Sequence, residues 1–104
     1  MAGKARKTLE KRYVPREHFI QLRDIIRRAT KDDHLLDEFL TDLLTPAEYA
    51  ELATRWQIVR LLAMGMTQRE ITRKLHISME TVSRGARELL DKRGGFRKLL
   101  DHKM

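Results

Sequence analysis

The sequence contains no cysteine, and this absence excludes several kinds of protein at once. No disulfide can stabilise the fold and no thiolate can bind a metal, so the composition favours an intracellular protein. Four histidines are scattered along the chain without the close spacing of metal ligands, at His18, His34, His76 and His102. We therefore expect no metal site.

Long apolar runs and glycine-rich loops are also missing. No stretch approaches the roughly 18 apolar residues of a membrane-spanning helix, and no hydrophobic segment follows the basic residues near the N-terminus as it would in a signal peptide. The chain also lacks a glycine-rich phosphate loop and any persuasive spacing of serine, histidine and acid. We expect a cytoplasmic protein that contacts no membrane and is not an enzyme.

Positive charge is in excess, with 22 Lys and Arg against 15 Asp and Glu, and it is unevenly distributed. Residues 1–14 carry five basic and one acidic side chain, residues 15–44 five and seven, and residues 45–104 twelve and seven. Two basic ends around an acidic middle favour polyanion binding, to nucleic acid before membrane. A merely soluble basic protein is the alternative.

The chain divides by pattern into a short arm and one small all-helical domain, with no strand, repeat or low-complexity tract. Residues 1–14 are polar and basic and indicate a flexible arm that makes loose phosphate contacts. Residues 15–104 form the domain, which begins with an amphipathic helix to about Thr30. A second helix over residues 35–44 is so apolar that we expect it to be buried against another subunit, and oligomerisation would help such a small core.

A long third helix has the clearest start in the chain, with Thr45 as N-cap, Pro46 in the first turn and Glu48 at N3. Gly65 supplies the matching stop, so the helix has about 19 residues and spans about 28 Å. Its core face should include Leu52, Trp56, Val59 and Leu62. After a break at Gly94-Gly95, a last short helix runs from Phe96 to His102.

Residues 67–90 predict a helix-turn-helix, two capped helices joined by a tight turn. Thr67 and Glu70 form a capping box, and Ser78 begins the second helix. Ile71, Leu75, Ile77 and Val82 supply the apolar contacts between the two helices. Such a pair places its second helix in the DNA major groove, about 12 Å wide, while its first helix crosses the backbone.

We expect the exposed residues of this unit to contact DNA bases and phosphates. They are Gln68, Arg69, Thr72, Arg73, Lys74, Ser78, Met79, Glu80, Thr81 and Ser83. The commonest form of the motif has a small residue at the position of Thr72 and a glycine at that of His76, but histidine tolerates positive φ. The alternative is a surface helical hairpin with no role in nucleic-acid binding.

From about residue 43 to residue 90 the chain resembles the tryptophan repressor family of bacterial transcription regulators. The resemblance rests on L-T-P at the start of the long helix, the pair Thr54-Arg55, G-M-T-Q-R-E at residues 65–70 and T-V-S-R-G at residues 81–85. It implies six helices per subunit, an interlaced homodimer and a palindromic double-stranded DNA operator. It also implies a sequence-specific transcriptional repressor.

LuxR-type and sigma-factor-type readers share several of these features and are the rival families. They place Leu-Leu about one short helix after L-T-P, whereas here Thr45 and Leu61 are sixteen residues apart. That spacing favours the tryptophan repressor family.

The resemblance also implies L-tryptophan as corepressor, with its indole held between Arg55 and Arg84. Guanidinium planes stack on aromatic faces and can also hold a carboxylate. The remaining residues of the implied pocket are Leu44, Thr45, Gly85 and Glu88. A filled pocket would tilt the reading helices to the spacing of successive major grooves, about 34 Å in dimers of this kind, the tryptophan repressor among them.

Several alternatives stay open. Arg55 and Arg84 could be surface charges paired with Glu51, Glu80 or Glu88 at helical spacing. Asp42 and Glu88 depart from the family, which has an apolar wall residue and a serine at these positions. One alternative is therefore a ligand-independent regulator of the same fold. Another, which is not a DNA-binding protein, is a helical module that binds an acidic protein.

Overall fold

The structure, a computed structural model, describes residues 13–101, and within that range it contains six helices and no strand. The helices are α1 (Arg16–Ala29), α2 (Asp33–Leu43), α3 (Pro46–Ala63), α4 (Gln68–Leu75), α5 (Met79–Leu90) and α6 (Gly95–Asp101). The predicted all-α class is confirmed. Most of the predicted arm and His102, the expected end of the last helix, lie outside the described residues.

The chain divides into two compact units, Met1–Leu43 and Leu44–Met104. In the first, α1 packs on α2, yet Ala29 is the one buried residue among those described, and Phe19 is 58% exposed. In the second, α3 contacts α4, α5 and α6, and α4 packs on α5. The single domain of residues 15–104 stays a prediction. Between residues 13 and 101 no helix is both long and apolar enough to cross a membrane.

Both ends of α3 are defined by local hydrogen bonds. The Glu48 N–H donates to the Thr45 hydroxyl at 3.1 Å, and the Thr45 N–H donates to the Glu48 carboxylate at 2.8 Å, which completes the predicted capping box. At the other end Gly65 has φ 99°, and its N–H donates to the Leu62 carbonyl at 3.0 Å. The N–H of Met66 reaches the Leu61 carbonyl, so the helix ends in a Schellman motif at its glycine.

The helix-turn-helix has the predicted caps. Thr67 and Glu70 form a second capping box, with distances of 2.9 and 3.1 Å between their paired atoms. His76 ends α4 in the left-handed conformation, at φ 58° and ψ 48°, and its N–H donates to the Thr72 carbonyl. Ser78 then caps α5 by accepting from the Thr81 N–H at 3.1 Å. The turn is therefore built from residues next to one another in sequence.

The core of the second unit joins α3, α4 and α5. Ile58, Leu61, Ile71 and Val82 are buried together. Leu62, Met66, Leu75 and Ile77 are half-buried against them, which confirms the four aliphatic contacts expected for the helix-turn-helix. This cluster holds the second helix of the motif against both its first helix and the long helix.

The predicted core face of α3 was partly wrong. Val59 is buried and Leu62 is half-buried, but Leu52 is 45% exposed and Trp56 is 36% exposed in the single chain. Trp56 is covered on one side by Phe96 of α6, with ring centroids 6.1 Å apart. Because α3 is apolar on several faces, spacing alone could not indicate which face its neighbours cover; the buried residues are Ile58, Val59 and Leu61.

A close helix approach explains the glycine within α5. A Cβ added to Gly85 would lie 2.7 Å from the Cγ2 methyl of Ile58, a side chain that is only 1% exposed. That methyl is on a β-branched, buried side chain and cannot swing away easily. Glycine at this position therefore lets α5 lie against α3.

We expect Gly85→Ala to destabilise the protein by about 1 kcal/mol. Overpacking costs roughly 1 to 3 kcal/mol, and this exceeds the roughly 1 kcal/mol that alanine gains over glycine within a helix. Urea unfolding followed by circular dichroism measures the difference. Gly95→Ala is the matched control, because no atom lies within 4 Å of its added Cβ, and it should be neutral or stabilising. Equal effects of the two substitutions would contradict the packing argument.

Glu70 links the second capping box to pH. The backbone N–H of Thr67 and then the Thr67 hydroxyl hold the pKa of the Glu70 carboxyl below its ordinary value of 4.5. Desolvation opposes them, and the charge of Arg73 lowers the pKa by less than either hydrogen bond. A lowered folded-state pKa means that the carboxylate stabilises the fold above about pH 4.5, and that this contribution is lost as pH falls through the folded-state value.

Glu70→Gln should therefore be less stable than the wild type at pH 7, and the difference should shrink as pH falls below 4.5, the ordinary pKa. Urea unfolding at pH 7 and at successively lower pH tests this. Gly95→Ala, which changes no titratable group, should keep a constant difference from the wild type. A gap between Glu70→Gln and the wild type that did not depend on pH would show that the carboxylate charge is irrelevant.

Candidate nucleic-acid interface

The residues predicted to contact DNA differ in exposure. Gln68, Thr72 and Ser83 are half-buried along the line where α4 meets α5. The others are exposed, and they are Arg69, Arg73, Lys74, Ser78, Met79, Glu80 and Thr81. The exposed set includes the N-cap and first turn of α5, which is the part of a reading helix that reaches base edges in helix-turn-helix proteins.

Charge on this surface is mostly positive. Among residues 13–101, Arg69, Arg73 and Lys74 have no carboxylate within 4.0 Å, so their charges face solvent. The carboxylate of Glu70 is held at the N-terminus of α4 by its capping box. Glu80 remains as the exposed acid in the first turn of α5. The first helix of the motif thus carries three exposed cations that can bind phosphates, and the first turn of the second carries one exposed side chain that can only accept hydrogen bonds.

Two pairs of side chains cross from α4 to α5. The Ser83 hydroxyl donates to the Gln68 Oε1 at 2.8 Å. One turn along each helix, the Thr72 hydroxyl lies 3.9 Å from the sulfur of Met79, and it also donates to the Gln68 carbonyl at 3.0 Å. We call these four residues the α4–α5 seam. All four were predicted as DNA contacts, but the sequence did not indicate that they contact each other.

Hydroxyl groups at the start of α5 are also engaged with each other. The Ser78 and Thr81 hydroxyls lie 2.8 Å apart, and either could be the donor. Ser78 also accepts from the Thr81 N–H. These two hydrogen bonds therefore fix the local conformation of the first turn of α5.

The six residues of the expected ligand pocket all belong to the second unit. Leu44 is half-buried just before α3, and the Thr45 hydroxyl already accepts a hydrogen bond as the cap of α3. Arg55 lies on α3, while Arg84, Gly85 and Glu88 lie on α5. Gly85 faces Ile58, so its missing side chain serves helix packing here. Sequence reasoning missed Ile58, because the contact joins residues far apart in the chain.

The two arginines of the expected pocket differ in their partners. The Arg55 guanidinium donates to Glu51 at 2.7 Å, and both side chains are exposed. Arg84 is exposed, and no carboxylate of the described range lies within 4.0 Å of it. The expected surface pairing is thus present for Arg55, whereas Glu80 and Glu88 do not pair with Arg84.

Comparison with known proteins agrees with this arrangement. Residues 17–104 match the family described as Trp repressor protein. A Trp operon repressor homolog of Actinobacillus succinogenes is 39% identical over 80 residues, which cover 74% of this chain and 78% of that protein. Homologs with the same description from Vibrio atlanticus and Vibrio vulnificus are 37% identical over 75 residues and 36% identical over 70 residues. These alignments cover 70% and 66% of this chain and 74% and 68% of the two relatives.

The extent of these matches removes the LuxR-type and sigma-factor-type alternative, since the matched region includes the long helix as well as the capped pair that follows it. The chain belongs to the Trp repressor protein family, whose members are transcription regulators and not enzymes.

Proposed function

We propose that this protein is a homodimeric, sequence-specific DNA-binding repressor that uses L-tryptophan as corepressor. The observation that carries the proposal is the exposed first turn of α5, which precedes the completely buried Val82. The preceding helix α4 carries Arg69, Arg73 and Lys74, and none of them has a carboxylate within 4.0 Å among residues 13–101. A rigid helix with an exposed tip suits the major groove, and the cations suit the phosphates beside it. Since its target is DNA in a bacterial cell, we expect it in the cytoplasm.

In this proposal base reading and phosphate binding fall to different residues. Arg69, Arg73 and Lys74 neutralise backbone phosphates and supply most of the affinity. Glu80 accepts from cytosine N4 in the groove and repels phosphate, so it contributes to sequence preference. Met79, 43% exposed, offers an apolar contact to a thymine methyl.

Exposed apolar side chains support a homodimer. Phe19 and Leu35 of the first unit are 58% and 47% exposed, and Leu52 on α3 is 45% exposed. Burial of these side chains between two copies would remove apolar surface from water and so stabilise a dimer. Two copies related by a two-fold axis would present two reading helices to a palindromic operator, with half-sites about 34 Å apart.

The corepressor part rests on the chemistry of the six pocket residues. Arg55 is already paired with Glu51, but an exposed ion pair contributes only about 0.2 to 1 kcal/mol. Stacking on an indole contributes about 0.5 to 2 kcal/mol per arginine, so a ligand can compete with Glu51. The Thr45 hydroxyl accepts one bond as a cap and keeps its own proton to donate. Glu88 is exposed and can accept from an ammonium group.

A ligand-independent regulator of the same fold is the second candidate. It is favoured by the Ile58 methyl, which lies 2.7 Å from the position of a Gly85 Cβ and so fills the space beside that glycine. In this alternative Arg55 and Arg84 are surface charges, and DNA affinity does not depend on any amino acid. Asp42 and Glu88 also favour this alternative, because each stands where the family has a different kind of pocket residue.

Titration calorimetry with L-tryptophan in the millimolar range tests the corepressor. We expect the wild type to bind, and Arg84→Ala to bind about 2- to 30-fold more weakly because one stacking face is lost. Arg87→Ala is the matched control, since this exposed arginine lies on the same helix outside the expected pocket. Absence of heat from wild-type protein that still binds DNA would leave the ligand-independent regulator as the better proposal.

Two substitutions on the reading unit should separate affinity from specificity. Lys74→Ala should weaken binding evenly across DNA sequences and flatten the dependence of log K on log salt by about 1, because one counterion fewer is released. Glu80→Ala should instead change which bases are preferred. Fluorescence anisotropy over a salt series and selection from a random duplex pool measure the two effects. An unchanged preference after Glu80→Ala would mean that the reading face is wrongly assigned.

A further inference from the structure

The α4–α5 seam contains a hydrogen bond between Ser83 and Gln68 whose donor and acceptor can be identified. Ser83 has one hydroxyl proton, and this proton is donated to the Gln68 Oε1 at 2.8 Å. Ser83 is then left with acceptor lone pairs only, while the two Nε2 protons of Gln68 remain as donors. The pair therefore presents one donor group and one acceptor group at fixed positions.

Both backbones of the pair are held rigidly. Gln68 is the first residue of α4 and lies between Thr67 and Glu70, the two residues of the capping box. Ser83 follows Val82, which is completely buried in the cluster with Ile71. One turn away, Thr72 holds the Gln68 carbonyl at 3.0 Å and approaches the Met79 sulfur. A side-chain amide between two such supports has little freedom left to lose on binding.

We propose that Ser83 is a positioning residue rather than a base reader, and that it orients Gln68 so that the Gln68 Nε2 donates to a backbone phosphate oxygen of DNA. The inference rests on the proposed DNA-binding function. Gln68 begins the helix that crosses the backbone in helix-turn-helix proteins, and side-chain amides are among the groups that bind phosphates there. An acceptor-only Ser83 would be repelled by a phosphate oxygen, so the phosphate contact falls to Gln68 alone.

The proposal makes the two residues one functional unit in binding. Without the Ser83 hydroxyl, the Gln68 side-chain amide is free to rotate. Without that amide, the Ser83 hydroxyl no longer has a group to orient toward DNA. A hydrogen bond to a charged group corresponds to about tenfold or more in affinity. We therefore expect Gln68→Ala to raise Kd about tenfold, and Ser83→Ala to raise it by somewhat less.

The test is a double-mutant cycle in DNA binding, with full-length protein, L-tryptophan present and a duplex selected from a random pool by the wild type. The double variant Gln68→Ala plus Ser83→Ala should bind within about twofold of Gln68→Ala alone, whereas independent contacts would multiply. Ser83→Thr, which keeps the hydroxyl, should bind like the wild type. Circular dichroism and urea unfolding check that each variant is folded.

Two further readouts separate this contact from its rivals. Because a neutral amide releases no counterion, Gln68→Ala should leave the salt slope unchanged, whereas Lys74→Ala flattens it by about 1. Base preference should be the same for Ser83→Ala as for the wild type. The proposal that Ser83 orients Gln68 would be wrong if the losses in affinity multiplied, if Ser83→Ala shifted the base preference, or if the single variants bound like the wild type. None of these results would contradict the proposed function. A wild type that binds no duplex would overturn both.

Discussion

The reading unit depends on how closely α5 lies against α3 at Gly85. The Ile58 methyl fills the space that any larger residue would need, and Ile58 is itself part of the cluster that contains Ile71 and Val82. Because all three helices share this cluster, a shift of α5 along α3 would also disturb α4. The orientation of the exposed tip of α5 is therefore set by apolar packing behind it, and not by the polar residues that face outward.

The sequence predicted well those features that depend on neighbouring residues. Both capping boxes, the Ser78 cap and the left-handed His76 are decided within four or five positions, so spacing and residue type were sufficient. These boundaries define α3, α4 and α5, whereas the other three helices were predicted from apolar spacing and from the break at Gly94-Gly95. Contacts between distant residues were not predicted, because no local rule relates Gln68 to Ser83 or Ile58 to Gly85. The exposure of Leu52 was missed for the same reason.

Hydroxyl side chains in the second unit perform three separate tasks that composition alone does not distinguish. Thr45, Thr67 and Ser78 each accept from a backbone N–H and begin a helix. Thr72 donates back to a carbonyl within its own helix, and Ser83 donates across to another helix. A serine or threonine in a DNA-facing stretch is therefore not by itself a DNA contact, and its present hydrogen-bond partner decides what it still has to offer.

His76 has a consequence for the unfolded chain. A non-glycine residue in the left-handed region costs the folded state about 1 to 2 kcal/mol. The same side chain restricts the backbone before folding, and relative to glycine this restriction is worth roughly 0.4 to 1 kcal/mol in favour of the folded state. The cost in the folded state is the larger of the two effects, so histidine leaves the fold somewhat less stable than glycine would at this position. The turn between α4 and α5 therefore carries an exposed imidazole, where a glycine would leave bare backbone, at a net cost in conformational stability.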